Sequence, residues 1–176
     1  MNNITLILGG ARSGKSTYAE QRATALELPV TYIATAQVYD DEFKARVAHH
    51  KSRRPKHWVL LEEPHYLSQV LEKTAKPNQC IIVDCLTLWL AQWICADCDP
   101  PKESSWAQER AAFLNTLPTL AGEIILVSNE VGMGIVPLGE INRQFQDEQG
   151  RLNQAVAQIA NKVRFIAAGL PIALKG

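Results

Sequence analysis

The chain has 176 residues, 47% of them hydrophobic and 20% charged, a composition typical of one globular domain, here taken to be residues 1–176. Eighteen basic residues balance eighteen acidic ones, so the overall charge does not favour a nucleic-acid partner. No apolar run approaches the ~20 residues that span a bilayer, and the first apolar run begins too early for a signal peptide. We therefore expect a cytoplasmic protein with no membrane span.

Apolar runs alternate with helix-compatible segments along the whole chain, which predicts parallel βαβ units. The predicted fold class is α/β, with a mainly parallel sheet and helices on both faces. The predicted strands cover residues 4–9, 30–34, 58–61, 80–84, 123–128 and 163–168. The predicted helices cover residues 15–26, 40–50, 66–73, 106–117 and 139–161, with a further helix beginning at residue 86.

A phosphate-binding loop connects the first predicted strand to the first predicted helix. It matches the pattern G-x-x-x-x-G-K-[ST] in full and consists of Gly9, Gly10, Ala11, Arg12, Ser13, Gly14, Lys15 and Ser16. In such a loop, backbone N–H groups and the helix N-terminus face the phosphate oxygens. Lys15 is expected to reach the β- and γ-phosphates, and the Ser16 hydroxyl to ligate Mg²⁺.

Two carboxylates end predicted strands. Asp84 ends the apolar run 80–83, where a phosphate-loop enzyme places a carboxylate for Mg²⁺; the alternative is a cap for the next helix. Glu62 also ends a strand, and ligands at the carboxyl edge of a parallel sheet could meet it.

A histidine pair precedes three cations. His49 and His50 are followed by Lys51, Arg53 and Arg54. Adjacent helical residues point about 100° apart, so the pair alone does not predict a metal site. One interpretation is a solvated, positively charged helix end. The other is a histidine nucleophile that attacks phosphorus while the cations neutralise a triphosphate and keep the imidazole neutral.

Two further features are less specific. Residues 128–137 follow a buried strand and contain two glycines, a proline and a carboxylate, which suits a substrate-contacting loop or a plain connection. The four cysteines are Cys80, Cys85, Cys95 and Cys98. Only the last two have the spacing of half a zinc site, so reduced, unligated thiols are the preferred interpretation.

Over nearly its whole length the sequence resembles one family, the bifunctional adenosylcobinamide kinase/adenosylcobinamide-phosphate guanylyltransferases of cobalamin synthesis. The resemblance depends on the phosphate loop, on residues 32–37 and 41–55, and on 128–137. It also includes residues 150–154 and the final Gly-Leu-Pro and Leu-Lys. The chain departs from the family at Asn161, where an Asp is expected, and in the loop 96–104.

The resemblance implies a RecA-like phosphate-loop fold, a homotrimer and two activities. ATP or GTP, with Mg²⁺, phosphorylates the aminopropanol hydroxyl of adenosylcobinamide, and GMP then passes from GTP to that phosphate through a GMP-histidine. By position His50 is the implied nucleophile. The implied nucleotide contacts beyond the phosphate loop are Thr35, Ala36, Gln37, Lys51, Ser52, Arg53, Arg54, Glu62 and Asp84.

Two other functions fit parts of the same pattern. A small-metabolite kinase would need the phosphate loop and Asp84 but would have no use for His50. A GTP-dependent switch would bind nucleotide with Mg²⁺ and form no covalent adduct. The phosphate loop is common to all three hypotheses, so the histidine separates the bifunctional enzyme from the other two.

Overall fold

The computed structural model describes residues 2–36, 55–95 and 99–176. The strands are β1 (Asn2–Gly9), β2 (Val30–Ala34), β3 (Val59–Glu62), β4 (Cys80–Asp84), β5 (Gly122–Val127), β6 (Lys162–Ala167) and β7 (Leu170–Lys175). The α-helices are α1 (Lys15–Ala25), α2 (Leu67–Thr74), α3 (Leu86–Ile94), α4 (Trp106–Thr116) and α5 (Glu140–Ile159), and a 3₁₀ turn covers Leu117–Thr119. The helix predicted over residues 40–50 lies outside the described residues.

The seven strands form one sheet in the order β3-β2-β4-β5-β1-β6-β7. All neighbouring pairs are parallel except β6 and β7. The central strand β5 lies between β4 and β1, with Val127 paired to Asp84 on one side and to Ile7 on the other. The phosphate loop and Asp84 therefore emerge at the same carboxyl edge of the sheet, with one strand between them.

Both faces of the central strands are buried, as expected for a parallel sheet covered by helices. Along β1, Ile4, Leu6 and Leu8 pack with side chains of α2, α3, α4 and α5, whereas Ile7 packs on the opposite face with Ala19 and Ala23 of α1. The predicted α/β class, a mainly parallel sheet of phosphate-loop type with helices on both faces, is confirmed.

The sheet is longer than the sequence predicts. The final segment forms β7, an antiparallel edge strand joined to β6 through Ala168 and Gly169, which have φ values of 50° and 79°. Two residues with positive φ match the right-handed twist of a two-residue hairpin. Asn161 lies before β6, where its Oδ1 accepts a hydrogen bond from the Ile4 N–H at 2.7 Å. The departure from the family at this position is thus a structural contact at the opposite end of β1 from the phosphate loop.

None of the helices in residues 2–36, 55–95 and 99–176 combines the length and the apolar character that a membrane span requires.

Candidate active site at the phosphate loop

The phosphate loop takes the expected strand–loop–helix form between β1 and α1. A Cβ on Gly9 would lie 2.5 Å from the Ile166 carbonyl oxygen and 2.7 Å from Ser13 Oγ, so only glycine fits there. Gly14 caps α1 with a φ of 102°. The turn of the β6–β7 hairpin supports the loop, because the Gly169 N–H donates to the Ser13 carbonyl oxygen at 2.8 Å.

Lys15 begins α1 and is nearly buried inside the loop. Its Nζ donates to the Gly10 carbonyl oxygen at 2.6 Å. Burial lowers the pKa of the Lys15 ammonium below its ordinary value, while the charge of the Asp84 carboxylate opposes that shift. An ammonium group that has lost much of its hydration gains strongly from an anionic partner, which suits the expected contact with phosphate oxygens.

Asp84 is held at the carboxyl end of β4 by a neighbour on β2. The hydroxyl group of Tyr32, itself buried, donates to Asp84 Oδ2 at 2.5 Å. No partner is assigned to Asp84 Oδ1 within residues 2–36, 55–95 and 99–176. Since adjacent strands lie about 4.8 Å apart, the ends of β1 and β4 are separated by ~10 Å, a gap that a phosphate group and an ion can bridge.

The residues at this edge fit a magnesium ion bound together with nucleotide. Mg²⁺ prefers hard oxygen ligands and commonly uses one or two protein side chains, with phosphates and water completing the octahedron. The Ser16 hydroxyl and the free Oδ1 of Asp84 provide ligands of that kind. Among the described residues, no cluster of three or more His, Cys, Asp or Glu side chains could hold a metal by itself.

Thr35 lies behind Asp84 and is fully buried. Its Oγ1 donates to the Cys85 carbonyl oxygen at 2.7 Å and accepts from the Cys85 N–H at 2.9 Å. Its own N–H donates to the Asp84 carbonyl oxygen at 3.3 Å. The Thr35 hydroxyl is thus bonded to the turn that follows Asp84. Of the two predicted contacts Thr35 and Ala36, Ala36 is half-buried and is the one with accessible surface at the sheet edge.

The other predicted contacts are not brought to the phosphate loop by the described structure. Glu62 ends β3 at the same edge of the sheet, but β3 is four strands from β1, or about 19 Å. It can therefore meet only a part of a ligand remote from the phosphates held by the loop. The remaining residues, which are Gln37, His50, Lys51, Ser52, Arg53 and Arg54, lie outside the described residues.

Sequence reasoning missed the contact between Tyr32 and Asp84. The two residues are 52 positions apart in the chain, and a tyrosine in an apolar strand is typical of a core residue. The contact could have been predicted only from the knowledge that β2 and β4 are neighbours in the sheet, and the sequence does not give the order of the strands.

A phosphate loop, a carboxylate one strand away and a mainly parallel sheet together define a phosphate-loop nucleotide-binding protein. The fold agrees with a solved structure from Pyrococcus horikoshii OT3, which superposes with a TM-score of 0.57 at 8% identity, over 99% of this chain and 86% of that one. Residues 5–174 match the model of the family CobU, cobinamide kinase / cobinamide phosphate guanyltransferase. The chain belongs to this family of bifunctional enzymes.

Curated relatives match over almost the full length. The bifunctional adenosylcobalamin biosynthesis protein CobP of Pseudomonas aeruginosa is 52% identical over 171 residues, covering 97% of this chain and 96% of the relative. The bifunctional adenosylcobalamin biosynthesis protein CobU of Escherichia coli K12 is 36% identical over 181 residues, covering 98% and 99%. The family predicted from the sequence motifs is therefore confirmed.

Proposed function

We propose that this chain catalyses two consecutive transfers to one corrinoid. In the first, ATP or GTP phosphorylates the aminopropanol hydroxyl of adenosylcobinamide. In the second, GMP moves from GTP to that phosphate, giving adenosylcobinamide-GDP and pyrophosphate. The observation that carries the proposal is the phosphate loop with Lys15 buried inside it and Asp84 one strand away, in a chain of this family.

The kinase step requires charge stabilisation at the transferring phosphoryl group. We assign this role to Lys15 and to the N–H groups of residues 9–16, with Ser16 and Asp84 as the ligands of Mg²⁺. Mg²⁺, when bound there, would neutralise part of the negative charge of the phosphates. Tyr32 keeps the Asp84 carboxylate oriented, because its hydroxyl engages one carboxylate oxygen and leaves the other for the ion.

The guanylyl step uses His50 as the nucleophile. A neutral imidazole nitrogen forms a bond to the α-phosphorus of GTP, and the bond from that phosphorus to the bridging oxygen breaks, so pyrophosphate leaves with the electron pair. A phosphate oxygen of the corrinoid then attacks the same phosphorus, and the phosphorus–nitrogen bond breaks. Lys51, Ser52, Arg53 and Arg54 are proposed to neutralise the triphosphate, with Ala36, Gln37 and Glu62 as further nucleotide contacts. Thr35, which is fully buried, is instead proposed to hold the turn that follows Asp84.

We further propose that the enzyme is a homotrimer with the corrinoid bound between subunits. The described surface supports an assembly, because Met133, Ile135 and Leu138 are 81%, 97% and 98% exposed in the loop that follows β5. Along the edge strand β7, Leu170, Ile172 and Leu174 are exposed as well. We also propose that the reactions take place in the cytoplasm, where ATP and GTP are available. Sedimentation equilibrium tests the assembly, and a monomer at micromolar concentration would contradict it.

Product analysis with two labels tests the two activities. Adenosylcobinamide is incubated with γ-labelled ATP, and in a second reaction with unlabelled ATP and α-labelled GTP, and the corrinoid is isolated. We expect label in the corrinoid in both reactions for the wild type. His50→Ala should retain the first label and lose the second, and Lys15→Ala should lose the first. Transfer of the γ-label alone by the wild type would leave a kinase without nucleotidyl transfer, and no transfer in either reaction would overturn the proposal.

A further inference from the structure

Asn129 lies at the centre of the phosphate-binding edge of the sheet. It follows β5, which lies between the phosphate-loop strand β1 and the Asp84 strand β4. The flanking main chain is bonded to β1, since the Ser128 N–H donates to the Ile7 carbonyl oxygen at 2.9 Å and the Glu130 N–H to the Gly9 carbonyl oxygen at 3.0 Å. Asn129 is therefore positioned beside the first glycine of the loop, on the side that faces Asp84.

Two buried side chains hold the main chain of Asn129 in place. Its N–H donates to Thr87 Oγ1 at 2.8 Å, and its carbonyl oxygen accepts from Asn153 Nδ2 at 3.0 Å. Thr87 is on α3 and Asn153 is on α5, so the residue is fixed from two helices at once. Because both backbone groups of Asn129 are hydrogen-bonded within the protein, only its side chain is available to bind a ligand.

A buried polar cluster supports this arrangement from below. Ser128 Oγ donates to Asn153 Oδ1 at 2.7 Å, and Gln149 Nε2 donates to both Ser128 Oγ at 2.9 Å and Asn153 Oδ1 at 3.1 Å. Gln149 and Ser128 are fully buried, and Gln149 Oε1 has no hydrogen-bond partner in the described structure. Buried polar groups are costly unless they are hydrogen-bonded. The bonds of this cluster hold the Asn153 side chain in one orientation, and Asn153 Nδ2 in turn holds the Asn129 carbonyl oxygen.

Asn129 is half-buried, and its carboxamide has no hydrogen-bond partner within the described ranges. A carboxamide donates hydrogen bonds without carrying charge or exchanging protons at neutral pH. Such a group at a phosphate edge can bind an anionic oxygen and stabilise charge that develops on it.

We propose that Asn129 is a catalytic residue of the phosphoryl transfer, with its Nδ2 donating a hydrogen bond to an oxygen of the γ-phosphoryl group. The inference rests on the proposed kinase function and adds a residue that touches the transferring group. In that step the acceptor hydroxyl oxygen bonds to the γ-phosphorus, the bond to the β–γ bridging oxygen breaks, and the nucleoside diphosphate leaves with the electron pair. The hydroxyl proton passes to solvent, because Asn129 cannot accept it.

Binding of a diphosphate and a triphosphate distinguishes this role from a structural one. The variant is Asn129→Ala, and the matched control is Asn115→Ala, which makes the same change on the exposed surface of α4. For Asn129→Ala we expect affinity for a non-hydrolysable GTP analogue to fall about tenfold or more, and affinity for GDP to change less than about twofold. The kcat of corrinoid phosphorylation should fall on the order of 100-fold. The control should match the wild type in all three measurements.

Asn129→Asp provides a second variant of the same shape, in which a carboxylate would repel the γ-phosphate and should weaken analogue binding further while leaving GDP binding less affected. Equal loss of GDP and analogue binding, or no loss of either in both variants, would overturn the inference. A wild type that binds both nucleotides but does not phosphorylate cobinamide would overturn the proposed function instead, and the binding comparison would still decide the contact of Asn129.

Discussion

Replacing Gly9 by alanine tests how the phosphate loop is built. The new Cβ would meet the Ile166 carbonyl oxygen at 2.5 Å and Ser13 Oγ at 2.7 Å, at a φ of 152°. Ser13 Oγ can rotate, but the carbonyl oxygen belongs to β6 and cannot move without disturbing its pairing with β1. Backbone strain and overpacking each cost about 1–3 kcal/mol, so we expect Gly9→Ala to lose about 2–6 kcal/mol of unfolding free energy.

Gly10→Ala is the matched control, because a Cβ there would have nothing within 4 Å. Its unfolding free energy should stay within about 0.5 kcal/mol of the wild type. Urea denaturation measures both variants, with the slope m compared to check that the unfolded state is unchanged. Equal stability of the two variants would refute the close approach between β6 and the loop.

Three further predictions concern buried groups. Lys15→Met keeps most of the length of the side chain and removes its charge, and we expect a loss of corrinoid phosphorylation on the order of 100-fold; turnover at the wild-type rate would contradict the role of Lys15. Burial raises the pKa of Glu109, whose Oε1 accepts from the Ser68 N–H, so its protonation favours the folded state and this group's contribution to stability falls as the pH rises above the ordinary carboxyl pKa. Glu109→Gln should remove this group's share of the fall in unfolding free energy with pH, measured by urea denaturation from pH 4 to 7. An unchanged dependence on pH would contradict the raised pKa of Glu109. Burial raises the pKa of Cys80 and of Cys85 to about 12, so at pH 8 iodoacetamide should modify these thiols only after unfolding. Modification of either thiol in the native protein, detected by mass spectrometry, would contradict this prediction.

Much of the sheet could be predicted because its strands are continuous apolar runs flanked by loops. Strand β7 was not predicted, and it contains Pro171, a residue that is uncommon inside strands. The structure explains the exception: β7 is the edge strand, where a residue without an N–H costs the sheet little.

The site was predictable where a motif specifies it locally and unpredictable where it depends on strand order. The phosphate loop and Asp84 follow from short segments. Other contacts join residues that are far apart in the chain. These are the hydrogen bond from Tyr32 to Asp84 and the hydrogen bonds of Thr87 and Asn153 to the backbone of Asn129. Thr35 is fully buried, whereas its neighbour Ala36 is accessible at the carboxyl edge of the sheet. The sequence alone could not indicate this difference in burial.

The most direct test of the proposed chemistry is covalent labelling of the protein by GTP. The enzyme is incubated with GTP labelled at the α-phosphorus and then denatured, and protein-bound label is measured after acid and after base. We expect an adduct that is acid-labile and base-stable, as a phosphoramidate is, present in the wild type and in His49→Ala and absent in His50→Ala. Label that persists in His50→Ala and disappears in His49→Ala would reverse the assignment within the pair. No bound label in the wild type would contradict transfer through a histidine.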